Sequence, residues 1–278
     1  AATIDILIPP SIPMILFALS SNASIAELFV AGVLPGLLMC GGFMAACWWV
    51  GKRRNLPRET APADRAKFRR DLVLSLPAIA LPVLIVVFLR FGIATPTEVA
   101  VLAALFSGAV SALLYRDLSL KRLHHAILEA GLATGVVLMV IMASAAIGWL
   151  LTFDQMPQHI AHWVQENVTT KWVVILMMNL MMLFLGMFID LPAAVLLLTP
   201  VFLPMAHTIG MDPIQLGLMM VVNLAIGLYT PPVGTTLFIT SALAKVKVGE
   251  TEREMWPFYI VALTVLAIVS YIPASILR

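Results

Sequence analysis

The stretch AIGLYTPPVGTTLF, residues 225–238, interrupts an apolar run with two adjacent prolines, Pro231 and Pro232. Proline lacks a backbone N–H and clashes with the preceding helical turn, so a helix ends at or before such a pair. The break leaves backbone amides and carbonyls without helical partners. At membrane depth this is tolerated only where the backbone is buried in protein or lines a cavity. The stretch therefore predicts a broken helix at a functional position.

The composition around this stretch is that of a membrane protein. The chain has 278 residues, of which 61% are hydrophobic and 12% are charged, and its mean hydropathy is +1.01. Soluble domains contain about 25% charged residues. Six runs without Asp, Glu, Lys or Arg are about long enough to cross a bilayer; they cover 28–50, 72–89, 99–115, 130–153, 172–189 and 255–277. The sequence predicts an all-α polytopic membrane protein.

The basic residues are concentrated in one connection. Of 17 Lys and Arg residues, eight lie between 52 and 70: Lys52, Arg53, Arg54, Arg58, Arg65, Lys67, Arg69 and Arg70. The positive-inside rule places this loop in the cytoplasm, where it also contacts anionic lipid. The 153–170 connection contains neither Lys nor Arg and is predicted on the opposite side. We expect a lipid bilayer, and no nucleic acid, as the partner of this charge.

Two polar motifs have simple structural interpretations. Thr95 and Glu98 have the spacing of a capping box, which explains this carboxylate as a helix start more economically than as a functional group. His159 and His162 are i, i+3 neighbours, but no carboxylate or third ligand at useful spacing accompanies them. Neither motif is expected to bind a metal or a substrate.

A second interrupted stretch, DILIPPSIPMILF at residues 5–17, matches the first. Its proline pair aligns with the later one, and Asp5 then falls opposite Gly227. After each break the same elements follow: an apolar half-segment, a polar turn and a long final span. The turns cover 20–27 and 245–254, and the spans cover 28–50 and 255–277. Corresponding broken helices in two halves of a membrane protein indicate the binding site of a secondary transporter.

The segment before the later break also has an unusual length. The run LPAAVLLLTPVFLPM, residues 191–205, is too short to cross as one helix and contains Thr199-Pro200 near its middle. We interpret 191–208 as a re-entrant hairpin whose tip is Thr199-Pro200. The tip and the break at 230–234 are then expected to meet at mid-membrane.

Broken helices of this kind have a defined ligand chemistry. Carbonyl and hydroxyl oxygens at the break suit a hard cation such as Na⁺. The amide end of the next half-helix, which is the positive end of its dipole, suits an anionic substrate. Cation-coupled transport of a small organic anion is therefore the function that the breaks favour.

Four motifs carry a family resemblance over essentially the whole chain and in the right order. These are ILIPPSIPMI (6–15), GIATPTEVAVLAALF (92–106), GMFIDLPAAVLLLTPVFLP (186–204) and LYTPPVGTTLF (228–238). They resemble the large membrane subunit of tripartite ATP-independent periplasmic (TRAP) transporters, DctM-like. The resemblance implies an elevator-type secondary transporter with inverted repeats in the bacterial inner membrane. It also implies Na⁺-coupled import of organic acids such as dicarboxylates or sialic acid.

The resemblance also implies partners and site residues. The partners are a small, DctQ-like membrane subunit and a periplasmic substrate-binding protein, and Na⁺ is the coupling ion with no other cofactor. The implied cation site of the second repeat comprises Gly227, Thr230, Val233, Gly234, Thr199 and Pro200. The corresponding substrate or cation site of the first repeat comprises Asp5, Pro9, Pro10 and Ser11.

The expected organisation departs from that family in two respects. The predicted parts are the end of a first repeat (1–50), a basic linker (51–71), scaffold helices (72–130) and a second repeat (131–278) containing a broken helix at 214–244. Roughly a hundred residues of a first repeat have no counterpart, so the chain is expected to be the C-terminal part of a permease. Asp5 stands where the pattern expects glycine. The even count of six crossings after residue 50 also conflicts with inversion, which needs an odd number.

Two alternatives remain at this point. An intramembrane aspartyl protease would use Asp5 and Asp190 as a proton-sharing pair. However, neither lies within an unbroken span, and the proline breaks would be unexplained. A membrane assembly subunit without transport activity is the other alternative.

Overall fold

The computed structural model describes residues 2–55, 65–155, 159, 170–232 and 234–273, and the described residues are almost entirely helical. The helices are α1 Ala2–Leu7, α2 Ile12–Ser21, α3 Ile25–Arg53, α4 Arg65–Arg90, α5 Pro96–Ala109, α6 Leu120–Phe153, α7 Lys171–Gly186, α8 Leu191–Thr208, α9 Pro213–Gly227, α10 Thr235–Ala244 and α11 Val248–Tyr271. Within these ranges, 7 helical segments are long and apolar enough to cross a membrane. The prediction of an all-α polytopic membrane protein is confirmed.

The chain divides into two compact units. One comprises Ala1–Cys47 with Val137–Arg278, and the other comprises Trp48–Val136. The first and second predicted repeats thus contribute to one unit, and the predicted linker and scaffold helices fall mainly in the other.

In the Trp48–Val136 unit, polar side chains mark the helix ends. The ammonium of Lys52 lies 5.1 Å from the ring centre of Trp48, an interfacial arrangement of cation and aromatic ring. At the start of α5, the Glu98 carboxylate accepts from the Thr95 backbone amide at 2.8 Å, and the Thr95 hydroxyl accepts from the Glu98 amide. The capping-box interpretation of Glu98 is confirmed.

In the other unit, the two interrupted stretches have matching architecture. Helices α2 and α10 are both 10 residues long. Adding 223 to the bounds of α2, 12 and 21, gives those of α10, 235 and 244. The same shift relates the left-handed residues that end them, Asn22 and Lys245. Both Pro-Pro peptide bonds are cis. The repeated order predicted from the sequence is therefore present in three dimensions.

Contacts along α9, α10 and α11 define their directions. Ser241 of α10 bonds Thr251 near the start of α11, at 2.9 Å. Tyr259, further along α11, donates to the Tyr229 carbonyl in the break, at 2.7 Å. Gln215, at the start of α9, donates to the Ser270 carbonyl near the end of α11, at 2.8 Å. Helix α11 therefore runs antiparallel to the broken helix formed by α9 and α10.

Helix α3 runs the opposite way to α11. Its first turn places Leu28 against Gly217 near the start of α9. Further along, Phe43 packs edge-on against Phe258 with ring centres 5.6 Å apart, which is the level of the break. Along the chain, α3 runs from the level of the α9 start to the level of the break, and α11 runs in the opposite direction. The final spans of the two repeats, α3 and α11, are therefore inverted relative to each other.

A hairpin precedes α9, but its position differs from the prediction. The ammonium of Lys171, at the start of α7, lies 3.4 Å from the carbonyl of Gly210, between α8 and α9. The other end of α7, Gly186, lies against Gly227 at the end of α9. Helix α7 thus runs from the level of the α9 start to the break, and α8 returns from the break to the start of α9. They form the two arms of a re-entrant hairpin whose tip is 187–190.

The interpretation of 191–208 as a complete hairpin is wrong, because this segment is one uninterrupted helix of 18 residues. Proline is tolerated within membrane helices where side chains and neighbouring helices satisfy the freed backbone groups. The Thr199 hydroxyl donates to the Val195 carbonyl at 2.6 Å, one turn earlier. Segment 172–189 is an arm of the hairpin rather than a membrane crossing. Without it, the six crossings counted after residue 50 become five, which is the odd number that inverted repeats require.

Candidate functional site

The break between α9 and α10 depends on glycine at its last position. Gly234 precedes α10 with φ 24, in the region that disfavours side chains. A β-carbon there would lie 2.8 Å from the carbonyl oxygen of Thr230. The chain therefore folds back closely on itself only because this position has no side chain. Val233, another predicted site residue, lies outside the described residues.

Thr230 presents a hydroxyl within this turn. The hydroxyl donates to the Ile226 carbonyl at 2.7 Å, and the Thr230 amide donates to the Gly227 carbonyl at 3.1 Å. A hydroxyl has one donor hydrogen and two acceptor lone pairs. Because its hydrogen is engaged in the preceding turn, the oxygen of this half-buried side chain retains lone pairs for another donor or for a cation.

The tip of the hairpin lies against the break. A β-carbon on Gly227 would overlap the backbone carbonyl of Gly186, so two glycines permit direct backbone contact here. A cavity of about 20 Å³ lies beside this contact. Its lining consists of hairpin-tip and break residues: Gly186, Met187, Phe188, Ile189, Asp190, Leu228, Gly234 and Thr235. This volume accommodates a single water-sized particle.

The predicted tip-to-break meeting therefore exists, but with different tip residues. Thr199 is fully buried within α8, where it contacts the Met220 sulfur at 3.7 Å. It lies eight residues, about 12 Å, along the helix from Leu191. Thr199 and Pro200 do not line the cavity, so their placement at the tip is wrong. Gly186, the last residue of α7, contacts the break instead, and no sequence pattern predicted this role.

Asp190 brings the one acidic side chain among the cavity-lining residues. It occupies the position before α8, and its exposed carboxylate makes no capping hydrogen bond. The positive ends of α8 and α10 both begin next to this cavity, at Leu191 and Thr235. The cavity lining thus combines backbone oxygens, the Thr235 hydroxyl, one carboxylate and two adjacent helix N-termini, whereas the predicted site residues Thr230 and Gly227 are not part of the lining.

The first break is arranged differently. Ser11 is 1% exposed, and its side chain accepts from the Met14 amide and donates to the Ile6 carbonyl. Pro9 is buried, whereas Pro10 and the side chain of Asp5 are exposed. Ser11 therefore caps α2 within its own repeat. Its predicted role in binding a substrate or cation, together with that of Asp5, Pro9 and Pro10, stays a prediction.

A buried polar cluster below the hairpin tip was also missed. Asn223 of α9 donates to the side-chain oxygen of Asn179 in α7 at 2.8 Å, and Asn179 donates to the Ser270 hydroxyl in α11 at 3.0 Å. Asn223 is fully buried, and its own side-chain oxygen has no hydrogen-bond partner among the described residues. We call Asn179, Asn223 and Ser270 the asparagine clamp, because it joins the hairpin arm α7 to α9 and α11.

Metal binding by histidine finds no support in the geometry. In the part of the chain that the structure describes, no group of three or more His, Cys, Asp or Glu residues is placed to hold a metal ion. His162 lies outside the described residues, so the pairing of His159 with it has no geometry here.

Inverted broken helices and a re-entrant hairpin meeting at a small cavity define a secondary-transporter type of membrane protein. More particularly, the chain belongs to the family of the tripartite ATP-independent periplasmic transporter, DctM component, whose model matches residues 1–275. The resemblance drawn from the four motifs is confirmed. Family membership also excludes the aspartyl protease alternative and indicates a multi-pass protein of the bacterial inner membrane.

Curated relatives agree with this assignment. The C4-dicarboxylate TRAP transporter large permease protein DctM of Pseudomonas aeruginosa is 41% identical over 99% of this chain and 64% of its own length. The 2,3-diketo-L-gulonate TRAP transporter large permease protein YiaN of Escherichia coli is 35% identical over 98% of this chain and 64% of its own length. An uncharacterized protein, y4mL of Sinorhizobium fredii, is 58% identical over 99% of this chain and 65% of its own length. The chain thus spans slightly less than two thirds of these relatives.

Proposed function

We propose that this chain supplies the second-repeat transport site of a Na⁺-coupled permease that imports small organic acids. The observation that carries the proposal is the backbone contact between Gly186 and Gly227, with a cavity of about 20 Å³ beside it. Direct contact between a hairpin tip and a helix break concentrates backbone oxygens where a hard cation binds well.

The proposed cation ligands follow from the groups present. Thr230 offers its hydroxyl oxygen, and Gly227 and Gly186 offer carbonyl oxygens, while Val233 stays a ligand predicted from the sequence alone. Gly234 acts through geometry, because its positive φ and missing side chain let the Thr230 carbonyl approach. Bound Na⁺ would supply positive charge that favours an anion nearby, while these residues hold the ion and exclude solvent from it.

The proposed substrate class is a small organic anion. The N-terminus of α10 carries the positive end of a helix dipole and opens next to the cavity, which suits an anionic group. The curated relatives are named for C4-dicarboxylate, 2,3-diketo-L-gulonate and, in Vibrio cholerae, sialic acid. These three share a carboxylate, whereas the isethionate for which another relative is named is a sulfonate, so the common site is proposed to recognise an anionic acid group.

The proposed mode of transport needs partners. A small DctQ-like membrane subunit and a periplasmic substrate-binding protein are proposed from family membership. A relative from Oleidesulfovibrio alaskensis, 34% identical over 99% of this chain, is named isethionate TRAP transporter permease protein DctMQ. The unit containing both repeats is proposed to move as an elevator against scaffold helices.

The test is Na⁺-dependent uptake of organic acids into proteoliposomes by a full-length permease carrying this sequence, assembled with its partners. Thr230→Val keeps the side-chain shape and removes the oxygen. The Na⁺ concentration that gives half-maximal uptake, here called the Na⁺ midpoint, should therefore rise roughly ten- to hundredfold. Thr240→Val is the matched control, because Thr240 also donates to a carbonyl one turn earlier, at 2.6 Å, but lies exposed within α10.

The result that would overturn the proposal is an unchanged Na⁺ midpoint in Thr230→Val with the protein correctly inserted. Uptake without Na⁺ dependence would exclude cation coupling. An assembled complex without any uptake would instead support the alternative of a membrane assembly subunit. Full-rate uptake without the binding protein would contradict the proposed partner requirement.

A further inference from the structure

Tyr259 of α11 makes a side-chain contact with the backbone of the break. It is 9% exposed, and its hydroxyl donates to the carbonyl of Tyr229 at 2.7 Å. The two rings stack with centres 5.7 Å apart and planes 18° apart. The Trp256 ring packs edge-on against the Tyr259 ring, with ring centres 6.0 Å apart. The hydroxyl therefore reaches its carbonyl from a fixed ring.

That carbonyl belongs to the peptide group that leads directly into Thr230. A peptide group is planar, so its carbonyl oxygen and the following N–H turn together as one rigid plate. Here the Tyr229 carbonyl is held by Tyr259, and the N–H of Thr230 donates to the Gly227 carbonyl at 3.1 Å. Both edges of the plate are thereby fixed, and the position of Thr230 follows from them.

The two fixed edges have different origins. The Gly227 bond is local to the break and forms whenever that turn forms. The Tyr259 bond comes from a different helix, thirty residues further along the chain. Without it, only the Gly227 bond restrains this peptide group, and small rotations about its flanking single bonds shift the Thr230 hydroxyl and carbonyl.

We infer that Tyr259 is a positioning residue for the cation site, acting through the Tyr229–Thr230 peptide group rather than by touching the ion. The inference rests on the proposed function, since it assigns a role within that same site. It predicts that the Tyr259 hydroxyl sets how well the break binds Na⁺, while the stacked rings set how well α11 packs.

The chain offers a matched pair of variants. Tyr259→Phe removes the hydroxyl and leaves the ring. Tyr271→Phe does the same at the other end of α11, where the hydroxyl lies 3.4 Å from the Trp172 carbonyl and the rings stack 4.8 Å apart. Both tyrosines belong to α11, and each change deletes one hydrogen bond from a hydroxyl to the backbone carbonyl of another segment. Only Tyr259 contacts the break.

The experiment measures uptake against Na⁺ concentration in proteoliposomes holding the full-length permease and its partners, for both variants and Thr230→Val. Tyr259→Phe should raise the Na⁺ midpoint about three- to tenfold, the effect of losing one net hydrogen bond. Its uptake rate at saturating Na⁺ should match the unmodified protein. Tyr271→Phe should leave the midpoint unchanged.

Each outcome has a separate meaning. An unchanged midpoint in Tyr259→Phe, or equal shifts in both tyrosine variants, would overturn the inference. If Thr230→Val leaves the midpoint unchanged, the proposed cation site fails first. If Tyr259→Phe assembles poorly, the rise in melting temperature produced by Na⁺ alone is measured in detergent. That rise should shrink in Tyr259→Phe and persist in Tyr271→Phe.

Discussion

The two breaks share a proline pair followed by a ten-residue helix, but they differ in the residue that precedes this helix. In the first, the side chain of Ser11 caps the following half-helix and is itself buried. In the second, Gly234 occupies the corresponding position under the 223-residue shift and has no side chain with which to cap α10. A side-chain cap satisfies a first-turn amide internally. At the second break a backbone group does this instead, because the Leu228 carbonyl accepts from the Thr236 amide at 2.9 Å. The comparison shows that a repeated interruption can be completed by different chemical groups.

The largest effect is expected from giving the second break the acidic residue that the first one carries. Gly227→Asp introduces the counterpart of Asp5, but its β-carbon would overlap the Gly186 carbonyl, and its charge would be buried. Na⁺-driven uptake should fall at least a hundredfold, because the hairpin tip must move away. Gly249→Asp, where a β-carbon meets open space, is the control and should retain uptake. Normal Na⁺ dependence in Gly227→Asp would show that the tip contact is dispensable.

The next effect concerns what holds the hairpin against the second break. Asn223→Asp replaces the amide that donates to two oxygens of Asn179, at 2.8 and 2.9 Å, with a second acceptor. The resulting unpaired buried charge should destabilise the protein by about 3–5 kcal/mol, lowering the melting temperature in detergent. Asn179→Asp keeps the oxygen that accepts from Asn223 and should lower it less. Equal losses in the two variants would argue against the direction of hydrogen bonding in the asparagine clamp.

The smallest effects come from exchanging the residues that precede the half-helices. Gly234→Ser forces a side chain into positive φ and against the Thr230 carbonyl, with an expected penalty of about 1–3 kcal/mol. Ser11→Gly removes a cap, which glycine replaces at a loss of only a few tenths of a kcal/mol. Thermal unfolding gives both values, and the Na⁺ midpoint should move only in Gly234→Ser. A larger midpoint shift in Ser11→Gly would reverse the assignment of roles to the two breaks.

The sequence predicted the features that depend on local chemistry. Two adjacent prolines stop a helix in any environment, so both breaks and their repeated order were predictable. The capping box at Glu98 was predictable for the same reason. The hairpin was misplaced because Thr199-Pro200 looks like a stop in a soluble helix. In α8 a threonine hydroxyl and packed neighbours let the helix continue through it.

The missed residues depend on contacts between distant parts of the chain. Gly186 matters because Gly227 lies against it, and nothing in the local sequence GMFID identifies that partner. Asn179 and Asn223 lie 44 residues apart and form one cluster only after α7 packs on α9. A polar residue within each apolar run was the available signal, since such residues at membrane depth are usually paired or functional.

The proline pairs are related by a shift of 222 positions, whereas the helices that follow them are related by 223. Between the proline pair and the helix that follows it, the later break therefore contains one additional residue, and the two following helices, α2 and α10, keep the same length and the same left-handed end. After a duplication, an insertion confined to a joint leaves the packing of each copy intact while changing what the joint presents. One residue added after the proline pair thus lets the two copies end differently, with a capping serine in the first and a glycine at positive φ in the second.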